Sequence, residues 1–495
     1  MSRRPVEDSI NRTSAALLAA TTLLAGCTLG PSYEPPRPVS PAAYNLNRNT
    51  GAMPEAGNWW TLFGDPELTQ HVAATLAANQ DLALAVARYD ESRALLGSTR
   101  ASAKPGVSFD PSVSHIRTSG TEVNPLPNLE GWHVSLPIDA SYEIDLWGRV
   151  RHEITAARAQ LESSADLVST IRLSLAADTA STYLLLRSAD REIAVLAQTV
   201  AVREDAMRLA RRRVDAGAAG DADVIRAQAD LALTRADLDD VQRRRELALH
   251  VLAVLEGRNA PDFVVAVRDE AMVPLSIPTG LPAQLIERRP DIARNERALA
   301  AASEQIGAAE AAFFPTVRLS AYGGVSGSDL SRLFDGPSLV NGIGPSATFP
   351  LFDGGRRRNN LRGAQARYRE ALATYRQGVL LAFRETQDAL SDVAYLDRRG
   401  VNLRAAVLAS TQAAAVARSR YDRGLAGYFE VVESERAALL VRRAEIQNDQ
   451  QRLAAAVSLI KALGGGWTPE TPVPEAPAES APGRVPPTPA AWLSR

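Results

Sequence analysis

The chain has 495 residues, a formal net charge of −2 and 23% charged residues, a balance too even for a nucleic-acid binder or an acidic solvating protein. Its single cysteine, Cys27, excludes a disulfide framework. No stretch reaches the 18 or more consecutive apolar residues of a transmembrane helix, so any membrane insertion must come from a covalent lipid, from β-strands, or from both.

Residues 1–26 read as a secretory signal. Arg3, Arg4 and Arg12 precede the apolar run from Ala15 to Ala25, which is too short to span a bilayer. The run closes in Leu24-Ala-Gly-Cys27, which resembles the lipobox of bacterial lipoproteins, so Cys27 is expected to be lipidated and to become the mature N-terminus. That lipid is the only non-protein group expected; no cofactor and no metal site is predicted. Residues 27–57 are rich in Pro and Asn and read as an extended arm.

A first structural repeat is expected over 58–260. Asp65 is placed as an N-cap with Pro66 at the first helical position, and the helical pattern runs to about Ser102 with an interruption near Asn79-Gln-Asp81. Lys104-Pro-Gly106 breaks it. Val107–Ile116 and Trp132–Trp147 alternate around a polar loop, which predicts an antiparallel hairpin. Prolines inside both strands argue against a central position in an ordinary sheet. After Gly148-Arg149 a helical pattern runs to Ala216, roughly 65 residues or on the order of 100 Å. A turn at Gly217 and Gly220 leads to a second helix from about Asp221 to Leu255. Helices of this length are coiled-coil-like, and alanines at 156, 159, 165, 176 and 180 allow close approach of neighbours.

After a linker at 261–281, a second repeat over 282–467 follows the same plan. Leu285–Ile292 opens a helix to Ala312, Phe313–Tyr322 and Gly342–Phe352 are strands, and Gly355-Arg356 starts a long helix to about Arg423. The Gly424/Gly427 turn and a shorter helix, Phe429–Leu463, complete it. Gly148, Arg149, Gly217, Gly220 and Gly257 recur at Gly355, Arg356, Gly424, Gly427 and Gly464, an offset of 207, whereas Asp81 and Pro105 recur at Asp291 and Pro315, an offset of 210. The chain is a tandem duplication, with the difference absorbed most simply in the first hairpin loop. The Pro/Ala-rich stretch 468–495 is expected to be a disordered tail.

Two hairpins give four strands, and single-chain outer-membrane barrels begin at eight. Open sheet edges are not tolerated in lipid. If the strands insert, the barrel must be shared between subunits, so the chain is expected to be an oligomer. An enzyme is not expected. The histidines at 71, 115, 133, 152 and 250 include no His-x-x-x-His pair, and no Gly-rich phosphate loop follows a strand.

The motifs Ser141–Arg151, Arg289-Pro-Asp-Ile292, Ala311–Pro315, Tyr421–Gly424 and Ala462–Trp467, with the lipobox, resemble those of the outer-membrane efflux factors of the TolC superfamily, in particular the NodT-like lipoprotein branch. The resemblance implies a mostly α protein with a membrane β-barrel: a homotrimer with a twelve-stranded barrel in the outer membrane and a periplasmic barrel of twelve helices. It implies a passive exit duct that receives drugs or small toxic compounds from an inner-membrane pump, of the RND type, through a periplasmic adaptor (membrane fusion protein). An exit duct for type I protein secretion shares the fold and stays open as the alternative. By position, the resemblance makes Phe429, Glu433 and Arg436 the periplasmic constriction. It makes Arg420 and Tyr421 the residues that hydrogen-bond to the first repeat's hairpin, and the turns at Gly217, Gly220, Gly424 and Gly427 the adaptor's docking points. Glu433 and Arg436 also fit an ordinary i, i+3 surface pair.

Overall fold

Asn79 divides the first helical stretch in two. In the computed structural model, which describes residues 30–36, 41, 44–45, 58–117, 130–218, 220–269, 287–469 and 472–473, α1 (Pro66–Ala78) and α2 (Gln80–Ala101) meet at this residue. Its Oδ1 accepts from the backbone N–H groups of Asp81 and Leu82 at 2.9 and 3.2 Å and so caps α2. Asp65 caps α1 in the same way, with Pro66 at its first position. Cys27, the signal, most of the arm, most of the linker and most of the tail lie outside the described residues.

The strands are β1 (Gly106–Phe109), β2 (Ser112–Arg117), β3 (Glu130–Ile144), β4 (Thr316–Gly327) and β5 (Leu339–Thr348). The helices that follow α2 are α3 (Arg149–Asp215), α4 (Asp221–Leu255), α5 (Pro290–Ala311), α6 (Arg356–Asp422) and α7 (Tyr428–Ala462). Duplication is visible in the lengths: α3 and α6 each have 67 residues, and α4 and α7 each have 35. Among the described residues no helix is long and apolar enough to cross a membrane.

Among the described residues, those of 30–36, 89–164 and 294–376 form one compact unit and the others a second, so each unit draws on both repeats. The first unit holds the sheet. All pairings are antiparallel in the order β1/β2–β3–β4–β5. Four details correct the sequence reading. The first predicted strand is broken at Asp110-Pro111 into β1 and β2, although both keep one register on β3. Pro137 lies in β3, a central strand, against the expectation for proline. Its missing N–H is tolerated because one flank faces that break, and Gly324 stands opposite on the other. A Cβ at Gly324 would come within 2.3 Å of the Leu136 carbonyl oxygen, so only glycine lets the strands close there. The third strand begins at Thr316, because Phe313 and Phe314 belong to a turn. Trp147 Nε1 donates to the Pro315 carbonyl at 2.8 Å, and its ring lies 5.0 Å from that of Phe314. The fourth strand ends at Thr348, leaving Phe349, Leu351 and Phe352 exposed beyond it.

The second unit packs the helices through small apolar residues. Ala176, Ala177 and Ala180 of α3 are buried beside the fully buried Tyr183. A polar network is threaded through it. Arg187 bonds Glu67 at 2.7 Å and Asp190 at 2.6 Å, Arg245 bonds Asp190 at 2.6 Å, and Tyr183 donates to Asp65 at 2.7 Å. Burial opposes ionisation of Glu67, but the hydrogen bonds from Arg268 and Arg187 outweigh it and hold the carboxyl below its ordinary range. The two repeats close at equivalent positions with different side chains. Asn79 Nδ2 donates to the Leu255 carbonyl at 2.9 Å and Arg289 to the Ala462 carbonyl at 3.0 Å, each securing the end of a shorter helix. Gly257 and Gly464 follow those ends at φ 65° and 90°.

Candidate functional site

Each long helix stops in the same way. Gly217 and Gly424 take φ values of 70° and 75°. The N–H of Ala218 reaches back to the Arg213 carbonyl at 2.8 Å, and that of Leu425 to the Arg420 carbonyl at 2.8 Å, the C-cap that glycine permits. Gly220 and Gly427 differ from them. They are extended N-caps at φ −93° and −77° with open space where a Cβ would stand, so neither needs to be glycine for backbone reasons.

Behind the turns the two hairpins are locked together. Ala206 of α3, Ala227 of α4 and Tyr421, Tyr428, Val431 and Val432 of the second hairpin share a buried cluster. The Tyr421 and Tyr428 rings lie 5.6 Å apart. Burial first, and then the carboxylates of Glu435 and Asp230, push the Tyr428 hydroxyl up to about 12. Tyr421 does meet the first repeat, but through its ring and backbone. The Arg213 guanidinium sits 4.1 Å over the ring and donates to the Tyr421 carbonyl at 3.2 Å, while the hydroxyl is buried with no hydrogen-bond partner among the described residues. Arg420 departs from expectation. It pairs with Glu430 of its own hairpin at 2.9 Å, because Arg213, its counterpart in the first repeat, already occupies the cross-hairpin position.

Arg436 bonds the carboxylate of Asp230, a buried residue of α4, and reaches Glu433 at 3.4 Å. Arg203, also buried, donates to the Asp230 carbonyl at 2.7 Å and to the Thr234 hydroxyl. Phe429 is exposed, with the Arg226 guanidinium 5.6 Å from its ring. Glu435 lies 3.5 Å from Arg418, and burial drives its carboxyl above the ordinary range despite that cation. Farther from the turn, Arg443 spans Glu192 at 2.8 Å and Asp237 at 2.9 Å. The structure thus brings together Tyr421, Glu433 and Arg436 with partners that sequence reasoning missed: Arg213, Asp230 and Arg203.

At the other end of the long helices, Gly148 and Gly355 take φ 83° and 87°. Asp145 accepts from the N–H groups of Val150 and Arg151, and Asp353 from those of Gly355 and Arg357. Arg149 is fixed between Glu143 at 2.8 Å and Glu153 at 2.7 Å, whereas Arg356 is exposed.

Residues 72–258 and 281–465 each match the sequence profile of the outer membrane efflux proteins, one match per repeat. The chain belongs to the outer membrane efflux protein family. It is 34% identical to outer membrane protein OprJ of Pseudomonas aeruginosa over 463 residues, covering 92% of this chain and 95% of that one. It is 29% identical to cation efflux system protein CusC of Escherichia coli over 90% of this chain and 96% of that one. The solved structure of the outer-membrane channel OprN superposes with a TM-score of 0.84 at 31% identity, over 89% of this chain and all of that one. As an outer membrane efflux protein, the chain combines a β-sheet for the outer membrane of a Gram-negative cell with a large periplasmic helical part. Its family is one of passive conduits.

Proposed function

We propose that the chain is the exit duct of a tripartite efflux system. Three copies enclose a twelve-stranded barrel and a tunnel of twelve helices, with Cys27 carrying the lipid that anchors each copy. The duct passively conducts drugs or other small toxic compounds delivered by an RND-type inner-membrane pump through a periplasmic adaptor. The observation that carries this reading is the sheet: four strands' worth of antiparallel ladder with β1/β2 and β5 left open as edges, which only neighbouring copies can close within lipid.

At the hairpin turns, Phe429, Glu433 and Arg436 form the closable constriction, repeated as rings of three. The lock to Asp230 holds it shut, and the turns at Gly217, Gly220, Gly424 and Gly427 receive the adaptor. The test is cross-linking in cells with a tagged copy, followed by identification of what co-purifies. An adaptor with a proton-driven pump supports small-molecule efflux. An ATP-driven exporter would instead assign the duct to type I protein secretion, and recovery of neither would overturn the tripartite reading.

A further inference from the structure

The edges of the sheet carry a register for the seam between neighbouring copies. Within the chain, β3 of the first repeat pairs with β4 of the second, placing Ile144 opposite Val317, Tyr142 opposite Leu319 and Asp139 opposite Tyr322. The two hairpins supply the step from one repeat to the other. Gly106 lies opposite Ser141, and Thr316 lies opposite Thr348. These pairings agree with the offsets found in the sequence, 210 residues for the outgoing strands and 207 for the returning ones. In a closed ring every returning strand must meet the next outgoing strand. The β5–β1/β2 seam is then the image of the β3–β4 seam under those two steps.

We infer that β5 of one copy pairs antiparallel with β1/β2 of the next, in the register that sets Ser346 opposite Ser112, Gly344 opposite Ser114, Phe349 opposite Phe109 and Leu351 opposite Val107. The inference rests on the trimeric duct proposed above and adds its residue-level seam. The occupant of each edge is a second copy of this chain.

Side-chain chemistry supports the register independently of the repeat steps. On one face Ile343, Pro345, Phe349 and Leu351 meet His115, Val113, Phe109 and Val107. On the other face Gly344, Ser346 and Thr348 meet Ser114, Ser112 and Asp110. The apolar members are strongly exposed in the single chain, Val113 at 65%, Ile343 at 77% and Leu351 at 88%. A slip of one residue would set this apolar row against the serines and flip every side chain of the edge. A slip of two keeps the faces but breaks the correspondence with the β3–β4 seam.

The only native cysteine is Cys27, so engineered pairs report cleanly. Directly opposite residues lie about 4.5–5.5 Å apart at Cα, within disulfide reach, whereas diagonal neighbours two residues away lie at about 7–8 Å and beyond it. The full-length protein is prepared as Ser112→Cys/Ser346→Cys, with Ser114→Cys/Gly344→Cys as a second opposite pair. Ser112→Cys/Thr348→Cys and Ser114→Cys/Ser346→Cys are the shifted controls. Detergent-extracted protein is sized first and then run without reductant. The expected result is a trimer in which the opposite pairs give covalent dimers and trimers at least ten-fold more abundant than the shifted pairs. A trimer whose shifted pairs bond equally well or better, or in which no pair bonds, overturns the register and leaves the duct standing. A wild-type chain that sizes as a monomer overturns both.

Discussion

Arg436 of α7 and Asp230 of α4 bond each other from different repeats, and the carboxylate of Asp230 is buried where the arginine is half exposed. Truncating Arg436 to Ala leaves a buried carboxylate without its cation. The full penalty for a wholly buried pair is about 3–5 kcal/mol, and exposure of Arg436 reduces the expected cost to about 1–2 kcal/mol. The double variant Asp230→Ala/Arg436→Ala should be less destabilised than Arg436→Ala alone in denaturant titration of the purified protein. Both should raise single-channel conductance or sensitise cells to large antibiotics. Wild-type conductance in an assembled protein would remove this pair from the closing mechanism.

Glu435 sits against the same lock with its carboxyl raised, chiefly by burial. The folded state therefore holds a proton that the unfolded state has released. Stability from this group is present at low pH and declines as pH rises from the unfolded value, about 4.3, through the raised folded one. Glu435→Gln should melt higher than wild type at neutral pH, and the difference should shrink as pH is lowered toward 4. A constant difference across that range would mean that the carboxyl titrates normally.

The four turn glycines should separate into two classes. Gly217→Ala and Gly424→Ala place a Cβ on left-handed backbone, at about 1–2 kcal/mol each. Gly220→Ser and Gly427→Ser occupy open N-cap positions and should be neutral or stabilising by a few tenths of a kcal/mol. Hydrogen exchange at the hairpin ends reads both effects, and equal protection in all four variants would contradict the assignment.

Gly464 is the most constrained of the repeat-closing residues. A Cβ there would stand 1.9 Å from the Arg288 carbonyl oxygen, and one at Gly257 would stand 2.4 Å from that of Ala78. Backbone cannot yield as a flexible side chain can, so Gly464→Ala and Gly257→Ala should each cost more than either tip substitution. Assembly yield after extraction is the measurement. Near-normal yield for Gly464→Ala would show that the helix end can shift to make room.

The repeat plan was legible because Gly148, Gly217 and Gly257 recur at Gly355, Gly424 and Gly464, each on left-handed backbone. The strand count was legible from alternation, but the strand ends were not. Phe313 and Phe314 extend an apolar pattern into a turn, and the proline in β3 is accommodated by Gly324, a strand away and nearly two hundred residues later in the chain. At the tips, Arg436 was found by family position and Asp230 was missed. Comparing the repeats hides it, since Ala437 stands where Asp230 would recur and Arg226 stands where Glu433 would. The lock joins unlike positions of the two repeats, so no internal symmetry points to it.

Trp147 fastens the turn after β3 to Pro315 of the following strand's approach, and the position 207 residues on is Gly354, which has no indole to offer. The junction inside each chain therefore carries an indole hydrogen bond that the equivalent position before α6 cannot supply. In the proposed trimer, strain should therefore open the barrel first at the seams between copies.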